Sequence, residues 1–268
     1  MKIVFFTFYY PPDLSAGSFR SIALAKALSS KIKEGDELHI ITTHPNRYSN
    51  LRVEADDIAI DGNITVHRIA VPTHQGEMLS QTRNFAVYAV SAYSLTRKIN
   101  PNFMIGTTGR LMTGVLTGIT AYTLSIRYFI DLRDIFSETI SDLFSRKNRL
   151  LGLIAKIVFS FLDRRLLTNA AGVNVVSEWF PEYFNIAGVD TSDWSFFPNG
   201  VDKEFVDFQI DKNIVSDDRK TILYAGNIGS GQGLETVVPS LAEQLGDDFQ
   251  FVIVGGGGTI ELLREAIY

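Results

Sequence analysis

The sequence contains no cysteine and only four histidines among its 268 residues. The absence of cysteine excludes a disulfide framework, a thiolate metal site and a cysteine nucleophile. No two histidines have the spacing of a zinc-binding helix, so we predict no metal site. The chain also lacks an uncharged apolar run of the ~18 residues that would cross a bilayer, and its first residues do not resemble a secretory signal. We therefore expect a cytoplasmic protein that is soluble or peripheral to a membrane.

Basic residues are scarce in the last third of the chain. Residues 182–268 contain 15 acidic and 5 basic side chains, whereas residues 1–181 contain 15 acidic and 20 basic ones. The overall net charge of −5 argues against general binding of nucleic acid. The asymmetry predicts two units that face different environments. The overall composition, 46% hydrophobic and 21% charged, is typical of a globular protein.

Short apolar runs alternate with helical patterns along the first three quarters of the chain. Strands without internal alternation between helices are typical of a buried parallel sheet in a doubly wound α/β domain. We expect this Rossmann-like domain to cover residues 1–197. The expected strands are residues 2–8, 38–42, 64–71, 102–106, 127–132 and 172–176, and the expected helices are residues 19–28, 79–99, 111–124 and 150–167 with a further one from Glu178.

A second α/β series follows a polar, acidic connector. We expect strands at residues 221–225 and 249–254 and helices at residues 234–245 and 260–266. Two strands and two helices are few for an independent sheet. Residues 198–268 are therefore predicted to be a linker and the start of an incomplete second Rossmann-like domain, which favours a chain that is truncated at its C-terminus.

The first strand is followed by the turn YYPPDLSAGSFR, residues 9–20. The turn lacks the Gly-x-Gly-x-x-Gly fingerprint of a dinucleotide site. It nevertheless places Gly17 and Ser18 at the start of a helix, where free amides and the helix dipole favour an anion. The alternative is a plain turn in which Ser18 caps the helix.

Two later predicted strands are each followed by a glycine-rich segment. The turn AGNIGSGQGLE at residues 225–235 opens a helix, and so many glycines allow the backbone to approach a phosphate closely. The alternative is a flexible loop. The run VGGGG at residues 254–258 follows the next strand, and it either lines the same kind of site or is simply a loop.

A charged segment, IDLRDIFSE at residues 130–138, follows the strand at residues 127–132. Charged groups at the carboxyl end of a parallel strand lie where active sites form in such folds. Two hypotheses stay open here: a functional group that includes Arg133 and Asp134, or a local Arg–Asp pair that orders the loop.

The segment at residues 145–165 joins an apolar helix to six basic side chains and one acidic one, Asp163. This pattern favours docking on an anionic membrane surface, but a core helix with basic ends would have the same composition. The basic residues are Arg146, Lys147, Arg149, Lys156, Arg164 and Arg165.

Six segments in order resemble the retaining glycosyltransferases of family four, which have the two-domain GT-B fold. They are YYPPDLSAGSFRSIALAKAL, IDLRDIFSE, VVSEWFPEYF, FPNGVD, ILYAGNIGSGQGLETVV and FVIVGGGG. The nearest subgroup comprises bacterial enzymes that assemble O-antigen, capsule and exopolysaccharide.

The resemblance implies an N-terminal acceptor domain and a C-terminal domain for a nucleotide-sugar donor, with UDP-sugar expected. It implies transfer with retention, no metal ion or other cofactor, and an undecaprenyl-diphosphate-type saccharide acceptor at the inner face of the plasma membrane. The donor diphosphate would be bound by Gly17, Ser18, Gly226, Asn227, Gly229, Ser230, Gln232, Gly233 and Gly256. Arg133 and Asp134 would be catalytic, with Arg133 in a binding role because arginine cannot act as a base. Arg146, Lys147, Arg149 and Lys156 would contact the membrane.

The sequence departs from the family pattern at several places. Gly17 stands alone where many relatives have two glycines, Ser230 and Gln232 stand where many have arginine and lysine, and Arg133 stands where many have histidine. The family's paired glutamates would lie beyond Tyr268, so we expect this chain alone to be a weak or inactive transferase. Two alternatives remain: a nucleotide-sugar epimerase of the same fold, and a non-catalytic saccharide-binding fragment.

Overall fold

The computed structural model describes residues 1–13, 15–45, 54–72, 78–109, 111–145, 148–201, 203–208, 219–229 and 231–267. The chain forms two compact units, Met1–Val201 and Asp202–Tyr268. The division lies four residues after the boundary expected from the sequence, within the segment that follows the last strand of the first unit.

The first unit is built on one eight-stranded sheet. Seven strands are parallel to their neighbours, and β3 alone runs antiparallel, against β4. The strand order is β3-β4-β2-β1-β5-β6-β7-β8. The strands are β1 Lys2–Phe6, β2 Glu37–Thr43, β3 Ile58–Asp61, β4 Ile64–Ile69, β5 Phe103–Thr107, β6 Arg127–Leu132, β7 Gly172–Val175 and β8 Ser195–Phe196.

Helices cover both faces of this sheet, as the buried strands require. In β1, Val4 and Phe6 belong to one hydrophobic core while Ile3 and Phe5 belong to another, and all four are almost inaccessible to solvent. A strand that is buried on both faces has no reason to alternate polar and apolar residues. The helices are α1 Ala16–Ser29, α2 Met78–Ile99, α3 Leu111–Leu124, α4 Phe136–Ser145, α5 Arg149–Thr168 and α6 Phe180–Ile186.

The strand order reverses between β1 and β5. After β1 the chain proceeds to β2 and β4 on one side, and then returns to β5 on the other side of β1. In open α/β sheets the crevice outside the carboxyl ends of two such strands is where ligands bind. The loops that follow β1 and β5 are therefore the expected location of a ligand-binding site.

Helices α4 and α5 form a hairpin in which Asn148 caps α5 by accepting hydrogen bonds from the amides of Leu150 and Leu151. One face of α5 is buried, and it includes Gly152, Ala155 and Leu166. The opposite face is apolar yet exposed, so the interpretation of α5 as an ordinary core helix fits only one of its two faces. This outward face consists of Leu150, Leu151, Leu153, Ile154, Ile157, Val158 and Phe161.

The second unit contains two parallel strands, β9 Lys220–Asn227 and β10 Phe249–Gly256. Its helices are α7 Lys203–Val206, α8 Leu234–Leu245 and α9 Ile260–Ile267, and a single 3₁₀ turn at Gly246–Asp248 precedes β10. Its small core joins Leu234 and Val238 of α8 to Leu263 of α9, with Ile228 from the loop after β9.

Asp163 lies on the buried face of α5 and accepts hydrogen bonds from Ser137 of α4. Its second carboxylate oxygen is buried without a partner in the described part of the chain. Burial raises the pKa of Asp163 from 3.8 to about 6, and the hydrogen bonds from Ser137 only partly oppose that shift. The folded state therefore holds this proton more tightly than the unfolded state does, and stability falls as the pH rises from about 4 to about 6.

We expect Asp163→Asn to remove this loss, because the amide has no charge to bury. The free energy of unfolding of the variant minus that of the unchanged protein should therefore increase by about 2–3 kcal/mol from pH 4 to pH 7.5. Urea unfolding of both proteins at the two pH values measures the difference. Asp193→Asn, at an exposed carboxylate, is the matched control. An equal pH dependence in Asp163→Asn and the unchanged protein would contradict the assignment.

Candidate functional site

A polar cluster lies where β5, β6 and β7 end. Asp131 of β6 is almost fully buried, and its carboxylate accepts hydrogen bonds from Arg20 Nε (2.8 Å) and Nη2 (2.7 Å) and from Asn174 Nδ2 (2.8 Å). Thr107 Oγ1 lies 3.4 Å from the same carboxylate. Asp131 is thus held by a fork of arginine donors and by side chains from both neighbouring strands, which satisfies both of its oxygens.

Arg20 also holds the segment that follows β8. Its guanidinium donates to the carbonyl oxygens of Phe197 (3.0 Å) and Pro198 (3.1 Å) and to the side-chain oxygen of Asn199 (3.3 Å). One side chain of α1 therefore joins the end of β6 to the last residues of the first unit. Arg20 was not a candidate in the sequence analysis, since nothing local distinguishes it from a surface arginine.

Arg133 lies two residues beyond Asp131 but is not paired with it. Its backbone amide donates to Thr108 Oγ1 (2.8 Å), which fixes the loop after β6 against the loop after β5. Its guanidinium donates through Nη2 to the carbonyl oxygen of Ala16 at 3.4 Å, while Nε and Nη1 are buried without a partner among the described residues. Asp131 therefore pairs with Arg20, which is distant in sequence, and not with Arg133.

Two glycines make room for this guanidinium. A Cβ atom on Gly17 would lie 3.3 Å from Arg133 Nη1, and one on Gly109 would lie 3.1 Å from the same atom. Gly17 follows β1 and Gly109 follows β5, so the group lies at the reversal of strand order. The sequence analysis singled out Gly17 but missed Gly109, because a single glycine after a strand is a common feature.

The first turn of α1 contributes backbone amides to the same place. Ser15 is the N-cap and accepts from the amide of Ser18 at 3.2 Å, so Ser15 and not Ser18 caps the helix. Ser18 itself is fully buried. The first amides of a helix, here those of Ala16 and Gly17, have no partner within the helix.

The electrostatics of this place favour an anion. A cation beside a helix N-terminus adds to the positive end of the helix dipole, and burial lowers the pKa of Arg133 while Asp131 opposes that shift. An anion between Arg133 and the first turn of α1 would be attracted by both groups and would accept the unpartnered donors. Asp134 is exposed and follows Arg133 in the same loop, and partial desolvation raises the pKa of its carboxyl group.

In the second unit, the turn after β9 is closed by a side chain. Gln232 Oε1 accepts from the amide of Gly229 at 3.1 Å and lies 3.4 Å from Asn227 Nδ2. Gly233 has a φ of +60° at the N-cap of α8, a conformation that favours glycine. Gly226 packs beside the Tyr224 ring, and Ser230 lies outside the described residues. Glu235 in the first turn of α8 has a buried oxygen without a partner.

The glycine run at the end of β10 has a packing role. A Cβ atom on Gly255 would collide with the carbonyl group of Gly226, and one on Gly257 would collide with that of Ile228. At Gly256 a Cβ would meet open space. The requirement for glycine in this run therefore comes from the close approach of β9 and β10, and it gives no separate support to Gly256 as a binding residue.

The predicted membrane residues are only partly described. Arg149 and Lys156 are exposed on α5, whereas Arg146 and Lys147 lie outside the described residues. Across the described ranges, no helix combines the length and the apolar character needed to span a bilayer. Within the same ranges, no three His, Cys, Asp or Glu side chains are grouped so that they would hold a metal ion.

No protein-family model matches the sequence. In an alignment of 289 positions, the chain is 27% identical to WcaI of Escherichia coli (strain K12), which is named as a glycosyl transferase of colanic acid biosynthesis. The alignment covers 99% of this chain and 69% of WcaI.

Two solved structures are similar in fold. Sucrose-phosphate synthase from Thermosynechococcus elongatus has a TM-score of 0.66 at 13% identity, covering 99% of this chain and 68% of that one. Alr3699/HepE from Anabaena, solved with UDP-glucose, has a TM-score of 0.57 at 14% identity, covering 99% of this chain and 64% of that one. These are GT-B proteins, so the predicted fold class, with Rossmann-like units built on parallel sheets, is confirmed.

The comparisons support a glycosyltransferase of GT-B architecture, and they do not favour the epimerase alternative. The chain spans about two thirds of the length of these proteins. Finer statements about donor, acceptor and stereochemistry are therefore proposals.

The buried ion pair gives a direct prediction. Arg20→Ala should leave the Asp131 carboxylate buried without its main partner and cost about 3–5 kcal/mol in free energy of unfolding. Asp131→Asn combined with Arg20→Ala should recover part of that loss, because the uncompensated charge is gone. Urea unfolding of both single variants and the double variant measures the coupling. Additive losses in the double variant would show that the two side chains do not act as a pair.

Proposed function

We propose that the chain is a glycosyltransferase that takes a sugar from a nucleotide-diphosphate sugar, UDP-sugar in particular, and transfers it with retention to a saccharide carried on a lipid diphosphate. The observation that carries the proposal is the Arg133 guanidinium beside the first turn of α1, at the reversal of strand order, with Nε and Nη1 unpartnered among the described residues. A diphosphate is the anionic group that this chemistry would release.

Arg133 supports the departure of the diphosphate in this proposal. Its two free donors bind phosphate oxygens, and their attraction grows as negative charge develops on the leaving group. The amides of Ala16 and Gly17 act in the same direction from the helix N-terminus. Arg133 accepts no proton, because a guanidinium stays charged. Asp134 is the neighbouring carboxylate at the same loop, and a catalytic role for it stays a prediction.

Several parts of the proposal rest on the resemblance to family four. These are retention, the lack of a metal requirement, the donor-binding role of the loop after β9, and the undecaprenyl-diphosphate-type acceptor. HepE was solved with UDP-glucose, which supports a UDP-sugar donor. WcaI is named for colanic acid biosynthesis, which supports a saccharide acceptor. The expectation that this chain alone is a weak or inactive transferase also stays part of the proposal.

The membrane part of the proposal rests on α5. Its outward face is apolar and exposed, its ends carry Arg149, Arg164 and Arg165, and its one acidic residue, Asp163, is buried. An exposed apolar helix face with basic ends matches an anionic bilayer surface. We therefore place the proposed reaction at the cytoplasmic face of the plasma membrane.

We expect Arg133→Gln to weaken UDP binding about tenfold or more, because two charge-assisted hydrogen bonds to the diphosphate are lost. Titration calorimetry with UDP measures the change. Uridine, which has no diphosphate, should bind both proteins equally, and Arg97→Gln on α2 is the control for lost charge. Equal UDP affinity in Arg133→Gln and the unchanged protein would contradict the proposal that Arg133 binds the diphosphate.

Transfer itself is tested with radiolabelled UDP-sugars and a lipid-diphosphate saccharide. We expect product to form in the presence of EDTA, with the anomeric configuration of the donor as seen by proton NMR. An inverted product would refute retention, and loss of transfer in EDTA would refute the absence of a metal requirement.

Removing apolar area from the outward face of α5 should weaken membrane binding. The triple variant Leu153→Ser, Ile157→Ser and Phe161→Ser should lose most of its co-sedimentation with phosphatidylglycerol vesicles, since each side chain contributes about 1.5–3 kcal/mol when buried. The control replaces exposed apolar residues elsewhere: Ile60→Ser, Val90→Ser and Ile186→Ser. Equal sedimentation of the two variants would exclude this face from membrane contact.

A further inference from the structure

A cleft of about 570 Å³ opens between α3, α5 and the first residues of β6. This volume is within the range of about 300–1,000 Å³ that is usual for small-molecule sites. The cleft lies at the amino end of β6, whereas Arg133 follows its carboxyl end, roughly 20 Å away at about 3.3 Å per residue. It is therefore separate from the candidate site described above. Its walls are mainly apolar and include Val115, Ile119, Ile126, Leu162, Leu166 and Ala171.

Two arginines line the cleft without an acidic neighbour. Arg127 and Arg165 are both exposed, and none of the residues lining the cleft is acidic. The phenol of Tyr128 already donates to the carbonyl oxygen of Leu166 at 2.7 Å. Burial raises the pKa of Tyr128 to about 12, and the nearby Arg165 opposes that shift. The cleft thus offers two positive charges above a wall whose polar groups are largely satisfied.

This combination defines the chemistry of a ligand. Hydrocarbon would bury the apolar walls, and a negatively charged group would pair with the arginines. A free phosphate ion would leave the walls uncovered, and a neutral apolar molecule would leave the arginines without a partner. An amphiphile with an alkyl chain and an anionic head group satisfies both requirements.

The cleft is continuous with the outward face of α5. Val158, Leu162, Arg165 and Asn169 follow one another at intervals of four, three and four residues, which places them on one row of the helix. Val158 belongs to the exposed outward face, and the other three residues line the cleft. A lipid chain that reaches this face from a bilayer therefore meets the opening of the cleft.

We propose that the cleft binds one anionic phospholipid, with an acyl chain along the apolar walls and the phosphate at Arg127 and Arg165. The inference rests on the proposed function only for the source of the lipid, which is the membrane that α5 contacts. The role of the bound lipid is to hold α5 at the surface through a specific contact in addition to the general attraction of its basic ends.

The test uses dihexanoyl phosphatidylglycerol below its micelle concentration, titrated into the full chain by calorimetry. We expect saturable binding of one molecule, about tenfold weaker in the double variant Arg127→Gln and Arg165→Gln because two charged contacts are lost. The matched control, Arg97→Gln with Lys98→Gln, removes the same charge from exposed positions on α2 and should bind as the unchanged protein does.

The apolar part of the cleft is tested by Ile119→Asn, which should weaken binding about fivefold. Its control is Val90→Asn on α2, where an exposed valine is replaced in the same way. An effect of Ile119→Asn without a change in the unfolding temperature supports the apolar contact, and equal binding by both variants overturns it.

Three further ligands distinguish the sources of the signal. Glycerol 3-phosphate that binds as tightly as the lipid would show a phosphate site and overturn the proposal, and so would equal binding of dihexanoyl phosphatidylcholine. Competition between UDP and the lipid would place the lipid at Arg133 instead of in the cleft. The proposed transferase function fails by a different result, the loss of UDP binding or transfer, which the lipid titration does not measure.

Discussion

The ion pair between Arg20 and Asp131 determines what the rest of the candidate site can do. Asp131 is buried at the end of β6, and a buried carboxylate needs compensation by charge and hydrogen bonds. Arg20 supplies a bidentate contact and Asn174 supplies a further donor. Because the carboxylate is occupied, Arg133 has no acidic partner in the described part of the chain and keeps two unsatisfied donors.

The same arginine gives the site a mechanical connection. Arg20 belongs to α1, whose first turn lies beside Arg133, and it also donates to the carbonyl oxygens of Phe197 and Pro198. A displacement of residues 197–199 would therefore change the hydrogen bonds of Asp131, and with them the surroundings of Arg133. Residues 197–199 lie just before the end of the first unit at Val201. A movement of this segment therefore acts on the candidate anion site through one partly buried side chain, that of Arg20.

The sequence predicted most of the helices and strands, because long apolar runs and helical spacing are local signals. The helix at residues 111–124 agrees with α3 at both ends. It did not predict α4, whose start follows the charged loop at Arg133, or β3, which pairs antiparallel with β4 in an otherwise parallel sheet. It identified Gly17 and Arg133, but it missed Arg20, Gly109 and Asn174. These three residues are distant in sequence, and only the strand order brings them to one edge of the sheet.

The outward face of α5 shows a further limit of composition. The apolar residues of this helix surround it on nearly all sides, and apolar character alone does not say which side faces the core. Packing decides: Gly152 and Ala155 allow close approach to α4, so the side with the smaller residues is buried. The larger apolar residues are left outside, where they remain exposed to solvent.

Strand β6 brings these observations together, because it has an arginine at each end of its course. Arg127 opens the strand beside the α3–α5 cleft, and Arg133 follows it beside α1. Neither has a carboxylate partner among the described residues, although Asp131 lies between them and is taken by Arg20. Residues 1–181 as a whole carry a net charge of +5, and Arg127 and Arg133 are part of this excess of basic residues. Cations left unpaired at both edges of one sheet attract anions at both edges, a nucleotide diphosphate at one and a lipid head group at the other in the functions proposed.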